Sequence, residues 1–95
     1  MTYPTQFEWD ETKAASNLQK HCLTFARAIE IFDDPERIDI DISRISDLET
    51  RRKVIGKIDG KLYIAVYTLR GNVCWIISAR RTNRMEERLY GNRSI

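Results

Sequence analysis

Partway along the chain the apolar residues change their spacing, and that change constrains the fold more than any other feature. Before Pro35 they recur at helical intervals. Ala14, Ala15, Leu18 and Cys22 line one side of a segment over residues 11–21, behind Asp10 as its N-cap. Phe25, Ala28, Ile29 and Phe32 then fall at i, i+3, i+4 and i+7 behind a capping Thr24, so the spacing predicts a second helix. Asp34-Pro35 ends it, because the residue before a proline disfavours the helical region. After Pro35 the period is two. Ile38, Ile40 and Ile42 alternate with Asp39 and Asp41, and strands are expected over residues 38–42, 51–58, 61–69 and 73–80. Asp59-Gly60 and Arg70-Gly71-Asn72 supply the tight turns, and residues 43–50 read as a polar loop. Asn83 and Glu86 have capping-box spacing, so a last helix begins near Arg84, with Met85 and Leu89 on one side and Gly91 as its C-cap. Residues 7–9 read as a short strand or an extended lead-in.

These elements predict an α+β fold: an antiparallel sheet of about four strands, two N-terminal helices and one C-terminal helix. At 95 residues the chain is expected to form one domain with a small core that gains from a partner. A composition 42% hydrophobic and 32% charged excludes the disordered and low-complexity classes. The longest apolar run, residues 62–67, is far short of the roughly 20 residues a membrane helix needs. Residues 1–9 show no basic n-region and no apolar h-region, so the cytoplasm is the expected compartment and no membrane contact is expected. Cys22 and Cys74 form no C-x-x-C pair, and with one His in the chain no Cys/His metal site is expected. Both cysteines are expected to be small buried hydrophobes.

Charge is divided unevenly along the chain. Residues 1–50 hold five basic and eleven acidic side chains, a net of −6; residues 51–95 hold eleven basic and three acidic ones, a net of +8. The basic half has eight arginines to three lysines, a bias toward the planar fork that grips phosphate bidentately. Two readings are open. The basic half faces a polyanion, or the acidic half folds against it and neutralises it.

On a regular last strand Val73, Trp75 and Ile77 would share one face, and Cys74, Ile76, Ser78 and Arg80 the other. Arg80 and Arg81 sit where that strand meets the last helix, Arg84 and Arg88 stack at i, i+4, and Arg51 and Arg52 enter the central strand. A simple meander would gather these six arginines near one sheet edge. Such a site could cleave RNA without a metal, because the 2′-hydroxyl is an internal nucleophile that needs only orientation, a proton acceptor and charge stabilisation. His21, Tyr63, Tyr67 or Tyr90 could move the proton or stack on bases. His21 also fits a structural role as an imidazolium at a helix C-terminus, and Trp9 and Trp75 fit core or rim positions as well as base stacking. Asp33-Asp34 reads as a helix-end turn, and Asp39 with Asp41 as a solvated or cation-facing strand face. No glycine-rich phosphate loop and no nucleophile elbow is present. A non-catalytic RNA-binding or protein-interaction module would show the same charge pattern.

Four stretches resemble the BrnT family, the ribonuclease half of bacterial type II toxin–antitoxin pairs. They are Phe7-Glu8-Trp9-Asp10 with Lys13 and Asn17; Lys20-His21 with Phe25, Ala28, Phe32 and Asp34-Pro35; Arg51 with Ile55-Gly56 and Gly60; and Ile76-Ile77-Ser78-Ala79-Arg80 with Glu86 and Tyr90. Two positions depart from the pattern: Trp75 stands where the family usually has a basic residue, and Cys22 where it usually has glycine. The resemblance implies a RelE-like fold, metal-independent RNA cleavage without a cofactor, and inhibition of translation. It implies a BrnA-type ribbon-helix-helix antitoxin as partner, with operator DNA bound only through that antitoxin. In this light Arg51 and Arg80 are expected to stabilise the phosphate charge and His21 to act in proton transfer, making these three the catalytic set. Lys20, Arg52, Arg81, Arg84 and Arg88 are expected to bind RNA. An acidic or amphipathic antitoxin segment is expected to fold over the arginines.

Overall fold

Residues 6–46 and 48–91, described by a computed structural model, place the N-terminal helices on one face of a five-stranded sheet and the last helix on the other. Residues 1–5 of the segment read for a signal, and Asp47 of the expected 43–50 loop, lie outside the described residues. The elements are β1 (Gln6–Trp9), α1 (Glu11–His21), α2 (Phe25–Ala28), a 3₁₀ turn (Ile29–Asp33), β2 (Ile38–Asp41), β3 (Arg52–Ile58), β4 (Lys61–Arg70), β5 (Val73–Arg81) and α3 (Arg84–Gly91). The expected N-caps form: Asp10 accepts from the Thr12 and Lys13 N–H groups, and Thr24 from that of Arg27. No helix among the described residues is long and apolar enough to cross a membrane.

The meander β2-β3-β4-β5 is antiparallel as expected, but the sheet has five strands, not four. The lead-in is a true edge strand, β1, paired parallel to β5 with Phe7 opposite Cys74 and Trp9 opposite Ile76. Burial drives this. Phe7 packs 5.1 Å from Phe32, and Trp9 meets Phe25 edge-on at 6.0 Å. The second helix is also shorter than the spacing suggests: one α turn tightens into the 3₁₀ turn, which buries the adjacent Ile31 and Phe32 together.

One face of the sheet carries the main core. Val54, Ala65, Tyr67, Cys74, Ile76 and Ala79 meet Leu23, Phe25, Ala28, Ile31 and Phe32 from the helical layer. The register shifts at Val66/Tyr67, where Val66 pairs with Ser78 but Tyr67 with Ile76, leaving Ile77 as a bulge. This corrects the expected face assignment. Ala79 joins Cys74 and Ile76 in the core, while Ser78 and Arg80 move to the face of Trp75. On that second face Ile55, Ile64 and Tyr90 form a smaller cluster under α3.

α3 also docks by a side other than the expected one. Met85 and Leu89 are 69% and 43% exposed, whereas Glu86 and Tyr90 are buried. Tyr90 donates to Asp34 at 2.6 Å and Glu86 meets two cations, so specific polar contacts outweigh two apolar side chains. Gly91 is the last residue of the helix rather than its cap. Cys74 is fully buried, and burial pushes its thiol up to about 12. Cys22, by contrast, is exposed; it ends α1 at a φ of 56°, a left-handed conformation that glycine adopts at least cost.

Gly56 on β3 is required by close approach. A Cβ there would sit 2.8 Å from the Ile31 carbonyl oxygen and 3.2 Å from the Asp34 Cβ. Gly56→Ala is therefore expected to push the 3₁₀ turn off the sheet, costing about 1–3 kcal/mol. In a thermal melt this should read as a Tm lower by roughly 4–24 °C.

Candidate functional site

β1 stops opposite Ile76, but β5 runs on to Arg81, so the backbone edge of its last turn needs another partner. Asn17 supplies it. Its Oδ1 accepts from the Ala79 N–H at 3.0 Å, and its Nδ2 donates to the Ala79 carbonyl at 2.8 Å and to the Leu23 carbonyl at 3.1 Å. This buried amide continues the sheet ladder with a side chain and fixes α1 against β5 at the bulge. One turn further along α1 stand Lys20 and His21, both exposed. With Lys13, Ser16 and Asn17 they face Ile77 and Ser78 across a shallow cleft of about 190 Å³. The structure thus joins the Lys20-His21 block to the closing strand.

The arginines are not gathered into one patch. Arg80 lies on the α3 side of the sheet, where its Nη1 and Nη2 donate to the two carboxylate oxygens of Glu86 at 2.9 and 2.8 Å. Its Nη1 also donates to the Arg81 carbonyl at 3.0 Å. Three of its five N–H donors are therefore taken. Among the described residues its Nε edge keeps two donors free, the pair that a phosphate accepts side-on. Glu86 is buried, closes the capping box with Asn83, and has Lys53 Nζ at 3.9 Å. The hydrogen bonds from Arg80 hold its carboxyl below the usual range.

The other predicted residues are dispersed. Arg52 projects from the helical face and is tied to Asp39 at 2.6 Å, with Asp41 at 4.0 Å. Tyr67 donates to the same Asp39, and burial pushes its hydroxyl pKa up. Arg81 lies over the Tyr63 ring at 5.3 Å and donates to the Leu62 carbonyl. Arg51 precedes β3, with its backbone N–H bound to Ser43 Oγ at 2.7 Å. Arg84 and Arg88 stand exposed on α3 with no carboxylate partner among the described residues. Sequence reasoning assigned no task to Asn17 or to the Arg80–Glu86 pair. A polar side chain three residues after Ala14 on the apolar stripe of α1 was the available signal for the first.

Residues 9–86 match a class of proteins described as ribonuclease toxins of type II toxin–antitoxin systems. That family is BrnT, and the chain belongs to it. No curated protein matches. The matched span includes Asn17, the cleft and the Arg80–Glu86 pair.

The depressed carboxyl of Glu86 has a stability consequence. Its contribution is present in full above the ordinary 4.5 and is lost as pH falls through the lower folded value. Glu86→Gln is expected to cost roughly 1–3 kcal/mol at neutral pH. It should also flatten the dependence of Tm on pH below 4.5, as measured by melts over an acid pH series.

Proposed function

We propose that this chain is a metal-independent endoribonuclease of RelE-like fold that acts in the cytoplasm, cleaves RNA and so inhibits translation. The observation that supports this reading best is the cleft itself: α1 brings Lys20 and His21 to β5 at Ile77 and Ser78, two residues before the open Nε edge of Arg80. A phosphodiester would lie between them. The 2′-oxygen attacks phosphorus, His21 takes the 2′-hydroxyl proton, and the 5′-oxygen leaves with a proton from water. The products are a 2′,3′-cyclic phosphate and a 5′-hydroxyl. Arg80, oriented by Glu86, stabilises the added negative charge of the phosphorane, with Arg51 as a second donor. Lys20 and the exposed Arg84 and Arg88 attract the backbone, while Arg52 and Arg81 contribute charge from the periphery.

The partner in this reading is a BrnA-type ribbon-helix-helix antitoxin whose acidic or amphipathic arm covers the cationic side. It provides the operator-DNA contacts, and this chain alone has little affinity for the operator. The test is incubation of the purified protein with single-stranded RNA in EDTA. Cleavage to 2′,3′-cyclic phosphate ends is expected, with Arg80→Ala and Arg51→Ala each slowing it about 10²–10³-fold and His21→Ala comparably. RNA left intact at micromolar protein, with or without ribosomes, would sink the proposal.

A further inference from the structure

Trp75 is a large aromatic side chain that neither core uses. It is half-buried on β5, yet it belongs to neither hydrophobic cluster, whereas Trp9 packs into the main one. Its strand neighbours are Thr68 on β4 and Glu8 on β1. The guanidinium carbon of Arg70 lies 4.6 Å from the centre of its ring. That guanidinium is itself fixed by Glu49, which accepts from Nε at 2.7 Å and from Nη2 at 3.0 Å. Thr50, the residue after Glu49, is anchored in turn, because Thr68 Oγ1 donates to its carbonyl at 2.6 Å. The result is a preorganised pair of planes, one aromatic and one cationic.

The position of this pair matters as much as its chemistry. The bulge makes Ser78 the next residue after Trp75 on the same face, with Arg80 following. Same-face neighbours on a strand are about 7 Å apart. Ser78 lines the His21 cleft, so Trp75 lies one step from it along the strand. α3 covers the Ile55–Ile64 end of this face and leaves the Trp75 end beyond it.

Resting on the ribonuclease reading above, we infer that Trp75 and Arg70 form a nucleobase-stacking subsite that holds the RNA base next to the phosphate in the cleft. Bases stack on aromatic rings and on guanidinium planes alike, with little dependence on sequence. Because Glu49 has already fixed Arg70, little side-chain freedom is lost on binding. A flat ring-and-guanidinium pair, with the open Nε edge of Arg80 farther along the same face, suits a chain that alternates flat bases with phosphates as the occupant rather than a peptide.

The test uses a 2′-O-methyl RNA hexamer, which binds but has no free nucleophile. Affinity is read by calorimetry and ring contact by tryptophan emission. The wild-type protein should bind it with quenching, and Trp75→Phe should lose the quenching while binding within a few-fold. Trp75→Ala should bind about tenfold more weakly. On cleavable RNA it should raise KM with little change in kcat. The wild-type quenching needs no substitution, so a poorly folded alanine variant does not decide the matter. Binding without quenching, and with Trp75→Ala at wild-type affinity, would overturn the subsite and leave the ribonuclease reading standing. Quenching by the antitoxin but not by the hexamer would make this face a protein interface and overturn the inference. A hexamer that does not bind at all would overturn both.

Discussion

One side-chain amide holds the two halves of this protein in register. Asn17 bonds both backbone groups of Ala79, 62 residues away, and the Leu23 carbonyl that begins the next segment. A leucine of similar size would leave the Ala79 N–H and two carbonyls buried without partners, each at a cost of about 1–3 kcal/mol. Everything near the cleft depends on this contact. It sets how far α1 slides along β5, and therefore where Lys20 and His21 stand relative to the bulge at Ile77. Where β1 runs out, a single residue replaces a strand.

The electrostatic division of the chain is resolved partly by mutual neutralisation. Arg52 meets Asp39 and Asp41, and Arg70 meets Glu49, so basic strands are tied to the acidic half. Arg27 is bound by Glu30 and Asp59 in the same way. The exposed pairs of Arg70 and Arg27 add little stability, but they fix the direction of planar side chains, whereas Arg52 and Asp39 are largely buried. Arg80 differs in that its partner is buried and comes from the basic half itself. Of the two readings of the basic half, mutual neutralisation is thus realised in Arg52 and Arg70.

The elements were legible because each rests on local pattern. The helical stripe of α1, the alternation of β2 and the turns at Gly60 and Gly71 all appear within one window of residues. What could not be read was contact at a distance. A four-residue β1 carries no mark of its parallel partner. The bulge at Ile77 is a one-residue slip that leaves the apolar pattern intact and moves Arg80 across the sheet. In α3, Met85 and Leu89 look like the buried side because apolarity alone ranks them; the partners of Glu86 and Tyr90 lie on β3, β5 and the Asp34 turn. For the cleft, Lys20 and His21 were legible as residue types. The wall they face was not, since Ile77 and Ser78 come from the other end of the chain.

The parallel pairing of β1 with β5 also orders events in time. A ribosome releases α1 early and Ser78 late, and every contact between them closes a long loop. Until residues 77–79 emerge, α1 has no strand edge for Asn17 to bond and the cleft has only one wall. A nascent chain, or one terminated before residue 77, therefore has no cleft, and a cell translating this message meets the finished surface only after β5 has emerged.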